Sequence, residues 1–167
     1  MLGASLLAGC AANVSRQASD ATRIVPSAPA SKRIVLALTG TSASGPDWEA
    51  FREEWQTSMT TAAQAAGASF KLAGPDEPMQ TDPSTLVKMH VNDYRYVSQA
   101  KRYAVGVFSG NAYMDVDVEF IEWPSGRSLG TRKYSTSSSA WNGVFSAMTP
   151  KQVEAVSQEI VKEINQN

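Results

Sequence analysis

The sequence predicts an α+β fold: a mixed, mainly antiparallel sheet of about five strands with two helices packed on one face. Three observations carry this. Segments with a two-residue apolar period dominate the chain after residue 32. Two stretches, one early and one at the C-terminus, instead repeat apolar residues at spacings of three and four. Their order is strand, helix, several strands, helix, which is that of an α+β domain and not of a regularly alternating one.

The folded part opens with Ile34-Val35-Leu36-Ala37-Leu38, a continuous apolar run suited to a strand inside a sheet. Gly40 and the Thr-Ser-Ala-Ser-Gly stretch end it. Pro46 then stands at a favourable first helical position, and Trp48, Phe51, Trp55, Met59, Ala62 and Ala66 mark one helix face, with Gly67 as its stop. Ser69 to Ala73 reads as a second strand and Gly74-Pro75-Asp76-Glu77-Pro78 as a turn. From Thr85 to Val97, Val87, Met89 and Val91 alternate with Lys88, His90 and Asn92, the pattern of a half-buried strand. Tyr103 to Phe108 gives a short strand. Ala112 to Trp123 is the clearest, with Met114, Val116, Val118 and Phe120 on one face and Tyr113, Asp115, Asp117 and Glu119 on the other. Pro124-Ser125-Gly126 supplies turn chemistry, so Arg127 to Ser135 returns as the hairpin partner. Thr149, Pro150 and Gln152 form a capping-box start for the last helix, whose apolar stripe is Val153, Val156, Ile160 and Ile164 and whose solvated side carries Lys151, Glu154, Gln158 and Glu159.

The chain has 167 residues, enough for one domain that buries roughly two-thirds of its unfolded surface. Lys and Arg total 15 against 16 acidic residues, with no long block of either sign, which argues against a nucleic-acid surface. After the first residues, no apolar run reaches the length needed to cross a bilayer.

Leu7-Ala8-Gly9-Cys10 places the only cysteine directly after a short apolar run and before small polar residues. This resembles a bacterial lipoprotein box, in which the chain is cut before the cysteine and the cysteine is acylated. The resemblance implies a truncated signal peptide over 1–9, lipid attachment at Cys10, and a membrane partner reached through that anchor. Each buried methylene adds about 0.8 kcal/mol, so several acyl chains on one residue hold firmly where one does not. In such lipoproteins an aspartate after the cysteine favours inner-membrane retention; here Ala11 follows, which points to the periplasmic face of the outer membrane. The stretch up to Ser31 is rich in Ala, Ser and Arg and interrupted by Pro26 and Pro29. It is read as a flexible tether over 10–31 that would hold a single periplasmic domain, 32–167, about 25 Å from the lipid. Ile24 and Val25 are the one place in it where a short edge strand is an alternative.

The run from Arg102 through Gly106, Phe108 and Gly110, the alternating strand to Phe120, the turn Pro124-Ser125-Gly126 with Leu129, and the terminal helix together resemble an uncharacterised group of bacterial envelope lipoproteins, a domain of unknown function. Its architecture is similar to the α+β domains of curli-secretion-type lipoproteins and of the amino-terminal domain of the Tol system. The resemblance covers about Lys32 to Asn167. It implies an envelope component without known catalysis and carries over no active-site residues.

Read by themselves, Asp115, Asp117 and Glu119 project from one strand face about 7 Å apart, a spacing that suits a cation site or carboxylate chemistry, or simply a solvated face. His90 is the only histidine, and no G-x-S-x-G elbow surrounds Ser109. Gly106 and Gly110 match neither nucleotide fingerprint. No metal site or cofactor is expected. The segment Ser135 to Met148 joins a Ser/Thr run to Trp141, Val144 and Phe145, a possible partner-binding surface if exposed and core if folded under the last helix. The expected role is therefore a non-catalytic envelope interaction or assembly component, contacting envelope proteins or itself. The alternative is a small periplasmic hydrolase or ligand-binding protein using Asp115, Asp117, Glu119 and His90.

Overall fold

The computed structural model describes residues 14–18, 23–41, 43–74, 81–97, 112–137 and 149–165. Within them lie six strands, β1 (Val14–Ala18), β2 (Arg33–Gly40), β3 (Ser69–Leu72), β4 (Ser84–Arg95), β5 (Tyr113–Trp123) and β6 (Arg127–Ser137). Three helices accompany them: α1 (Ala28–Ser31), α2 (Pro46–Ala65) and α3 (Thr149–Asn165). The strands form one mixed sheet in the order β1-β6-β5-β4-β2-β3, with β2 parallel to both β3 and β4 and every other pairing antiparallel. No described helix is long and apolar enough to cross a membrane. Cys10, the expected strand Tyr103–Phe108 and the residues Trp141, Val144 and Phe145 lie outside the described residues.

Helices α2 and α3 cover one face of the sheet. Alternation in the strands sends Leu36, Leu38, Val87, Met89, Val116, Val118 and Phe120 to that face, where they meet Trp48, Phe51, Trp55, Met59, Val153, Val156, Ile160 and Ile164 in one continuous core. Helix α2 begins after Gly45, whose φ of 87° is left-handed, and Gly67 at φ 67° lets the chain turn out of it. Its apolar stripe is as the spacing predicts, except that Ala63 takes the buried place and Ala62 and Ala66 flank the core. Phe51 stacks on Tyr94 with centroids 4.7 Å apart and meets Trp55 edge-on at 6.1 Å. Trp48 closes over the end of β2: a Cβ on Gly40 would fall 3.0 Å from its ring.

Two irregularities shape the long strands. Asn92 is an extra residue between Val91 and Asp93 in the β4–β5 register, a bulge that shifts the strand's parity. Tyr94, not Asp93, therefore joins the aromatic core. A second shift sits between Phe120 and Ile121 opposite β6, where Leu129 is the extra residue and is 5% exposed.

The tether expected over 10–31 is structured wherever it is described. Val14–Ala18 pairs with Thr136–Arg132 of β6, Ile24 is 2% exposed in the core, and Ala28–Ser31 forms one helical turn. Neither Ile24 nor Val25 joins the sheet. The reason is that an edge strand is held by backbone hydrogen bonds and need not bury its side chains; Ser15, Arg16 and Gln17 are exposed. Composition carries no mark of such a strand.

The start of α3 also differs from the capping box expected. The Thr149 hydroxyl accepts the N–H of Val97 at 2.8 Å, and the Gln152 amide donates to the carbonyl of Ala112 at 2.8 Å. Both side chains fasten the helix to the ends of β4 and β5.

Candidate functional site

The face of the sheet away from α2 and α3 carries the chemistry. Residues 88, 90, 115, 117, 119 and 133 all point there, because each alternates along its own strand with neighbours buried under the helices. Register places His90 opposite Asp117 and Asp117 opposite Lys133, while Lys88 faces Glu119 across the same pair of strands. A groove of about 760 Å³ lies over this rank, with Thr39, Lys88, His90, Asp117, Glu119 and Lys133 among its lining.

Several groups on this face are partnered. Lys133 Nζ lies 3.0 Å from Asp115 and 3.9 Å from Asp117. Asn92 donates to both, at 3.0 Å to Asp115 Oδ1 and 2.7 Å to Asp117 Oδ2. The hydrogen bond and charge of Asp115 raise the Lys133 ammonium above its usual range. His90 sits between two hydroxyls, with Thr39 Oγ1 3.1 Å from Nδ1 and Thr41 Oγ1 3.4 Å from Nε2. This is a ladder of alternating charge with hydroxyl and amide groups along it, able to hydrogen-bond a flat polar ligand or an opposing surface. Asp115, Asp117 and Glu119 do not converge: among the described residues no group of three His, Cys, Asp or Glu side chains could hold a metal ion.

The period-two reading thus places Asp115, Asp117, Glu119 and His90 on one surface, as the structure does. It puts Asn92 on the polar side with Lys88 and His90 but does not show it bonded to the two aspartates, and it passes over Lys133. Which carboxylates they meet follows from the β4–β5 and β5–β6 registers, and that is not legible in one strand taken alone.

A second groove, of about 610 Å³, runs between α2 and α3 on the outer side. Thr57, Ser58, Ala62, Ala65 and Val161 contribute to it, and their small size keeps it open. Burial, with a smaller contribution from Glu53, raises the carboxyl of Glu54 at its margin.

At the far end of the sheet, Glu122 joins the N-terminal segment to the β5–β6 hairpin. Its carboxylate accepts the N–H of Ser27 at 2.8 Å and the guanidinium of Arg127 at 2.6 Å. Hydrogen bonds from the hydroxyl and backbone of Ser27, then from Arg127, hold it down at about 2.

No protein-family model matches the chain, and no curated protein matches it either. Solved structures do. The PelC dodecamer from Paraburkholderia phytofirmans matches with a TM-score of 0.51 at 13% identity, over 92% of this chain and 96% of that one. What the two share is the fold. A variant of the same dodecamer gives the same TM-score at 12% identity. A protein of the DUF330 family from Xanthomonas campestris matches with a TM-score of 0.47 at 12% identity, over 87% of this chain and 93% of that one.

Proposed function

We propose that this chain is a non-catalytic lipoprotein of the bacterial envelope, anchored by Cys10 to the periplasmic face of the outer membrane, which acts as an assembly component by associating with copies of itself. The observation that carries the reading is the end-to-end likeness in fold to a protein whose structure is a dodecamer. The lipoprotein box at Leu7-Ala8-Gly9-Cys10 supports the anchor. Anchoring would also favour assembly, because confinement to one surface raises the effective concentration of each copy around the next. Trp141, Val144 and Phe145 are the aromatic and aliphatic candidates for the contact.

Self-association is tested on the acyl-free Cys10→Ser protein by light scattering coupled to size exclusion. The reading expects a defined multiple of the monomer mass, reduced by replacing Trp141 and Phe145 with alanine. A monomer at all concentrations up to the high micromolar range contradicts it.

The groove over the open sheet face favours a second reading, a periplasmic ligand-binding protein or hydrolase using Asp115, Asp117, Glu119 and His90. Replacing Asp115, Asp117 and His90 together with alanine separates the two. Assembly and cellular phenotype survive under the first reading; loss of phenotype with the fold and assembly intact supports the second.

A further inference from the structure

Resting on the acylation of Cys10 proposed above, we infer that the domain stands end-on to the lipid surface, with the Val14 end of the sheet toward the headgroups and the Pro124-Ser125-Gly126 hairpin away from them. The argument is one of reach. Four Cα steps separate Cys10 from Val14, and at no more than about 3.6 Å each they span at most ~14 Å. This is well short of the separation a free 20-residue tether would give.

The strand that follows cannot swing. It is paired with β6 along its whole length, from Val14 opposite Thr136 to Ala18 opposite Arg132. Arg16 adds an ion pair to Glu163 of α3, whose carboxylate also holds Arg132. A short leash on a fastened strand fixes which end of the domain is near the lipid.

Antiparallel pairing defines that end. Thr136 and Ser137 lie beside Met114 and Tyr113, and Tyr113 lies beside Arg95. The backbone bond from Thr149 to Val97 brings the start of α3 to the same place. Tyr113, 40% exposed, supplies a phenol ring there, a side chain that suits the boundary between headgroup and water. The opposite end lies one strand length off: 11 residues of β5 at about 3.3 Å each span some 35 Å, more than twice the leash.

The test uses the acylated full chain in vesicles of phosphatidylethanolamine and phosphatidylglycerol that carry an energy-transfer acceptor on the headgroup. The only native cysteine is blocked by lipid, so Tyr113→Cys, Lys151→Cys and Ser125→Cys each place a donor at one known point. Transfer is expected to be several-fold stronger from positions 113 and 151 than from 125. An insertion of about 20 Gly/Ser residues between Cys10 and Val14 should erase the difference. Equal transfer from both ends, stronger transfer from 125, or a difference that survives the insertion overturns the orientation while leaving the anchor standing. A protein whose mass shows Cys10 unmodified overturns both.

Discussion

Glu163 is the side chain whose loss should cost this fold most for the fewest atoms removed. It is 5% exposed beneath α3, and both of its oxygens receive Arg132 Nε, at 3.0 and 3.2 Å; Arg132 is itself 6% exposed. Arg16 binds the same carboxylate from the edge strand. Truncation by Glu163→Ala takes from the buried Arg132 guanidinium the carboxylate that receives its Nε, while its Nη1 bond to the Thr131 carbonyl stays. Breaking a buried pair in this way costs about 3–5 kcal/mol, because the surviving charge stays desolvated. For a domain of this size each kcal/mol moves the midpoint by about 2–4 °C, so thermal unfolding should fall by roughly 6–20 °C. Arg16→Ala removes only the partly exposed partner and should cost no more than about 1 kcal/mol. The double variant Arg132→Met with Glu163→Leu should recover most of the loss, since it removes both charges from the core. Urea unfolding followed by tryptophan fluorescence reads all four proteins. A loss below about 1 kcal/mol for Glu163→Ala would refute the reasoning, since Arg132 would then have found another way to stay solvated.

Other sites give sharper, smaller signals. Gly40→Ala would push a methyl against Trp48 at 3.0 Å and Val91 at 3.3 Å; overpacking of this kind costs about 1–3 kcal/mol, and Trp48→Phe in the same chain should relieve part of it on denaturant titration. Glu122 lies at about 2 in the folded protein against an ordinary 4.5, so its contribution to stability is full above the ordinary value and drains away as pH falls toward 2. Glu122→Gln should therefore flatten the acid limb of the stability curve between those values and leave its slope at neutral pH unchanged. Asn92→Ala removes the amide shared by Asp115 and Asp117; the loss should stay within about 1 kcal/mol and change with added salt, because the neighbouring charges lie on an open face.

Much of the architecture is legible in the chain because single elements declare their own buried side. The alternation of Met114, Val116, Val118 and Phe120 fixes one face of β5 without reference to any neighbour, and the spacing of Val153, Val156, Ile160 and Ile164 does the same for α3. Elements defined only by what they touch are not legible. Strand β1 shows no buried residue from Val14 to Gln17 and pairs with the edge that β6 offers it. Strand β6 reverses the usual polarity by turning Arg132 and Thr136 inward, which makes sense only once Glu163 lies above Arg132. Nor does any local signal put β2 beside β4 and β3 outside it.

The open face divides in the same way. Asp115, Asp117, Glu119 and His90 share a side by simple parity. The contacts that govern their behaviour come across strands, from Asn92 of β4 and Lys133 of β6, and depend on registers that parity along one strand does not set. Thr39 and Thr41, which flank the His90 ring, belong to β2 and the residue just after it, some 50 positions away in the chain.

The anchor is the claim on which location, assembly at a surface and orientation all rest. Intact-mass spectrometry of the protein extracted from bacterial outer membranes tests it directly. A chain beginning at Cys10 and heavier by several acyl groups is the predicted result. A chain that retains the residues before Cys10, with that sulfur free, would contradict the account.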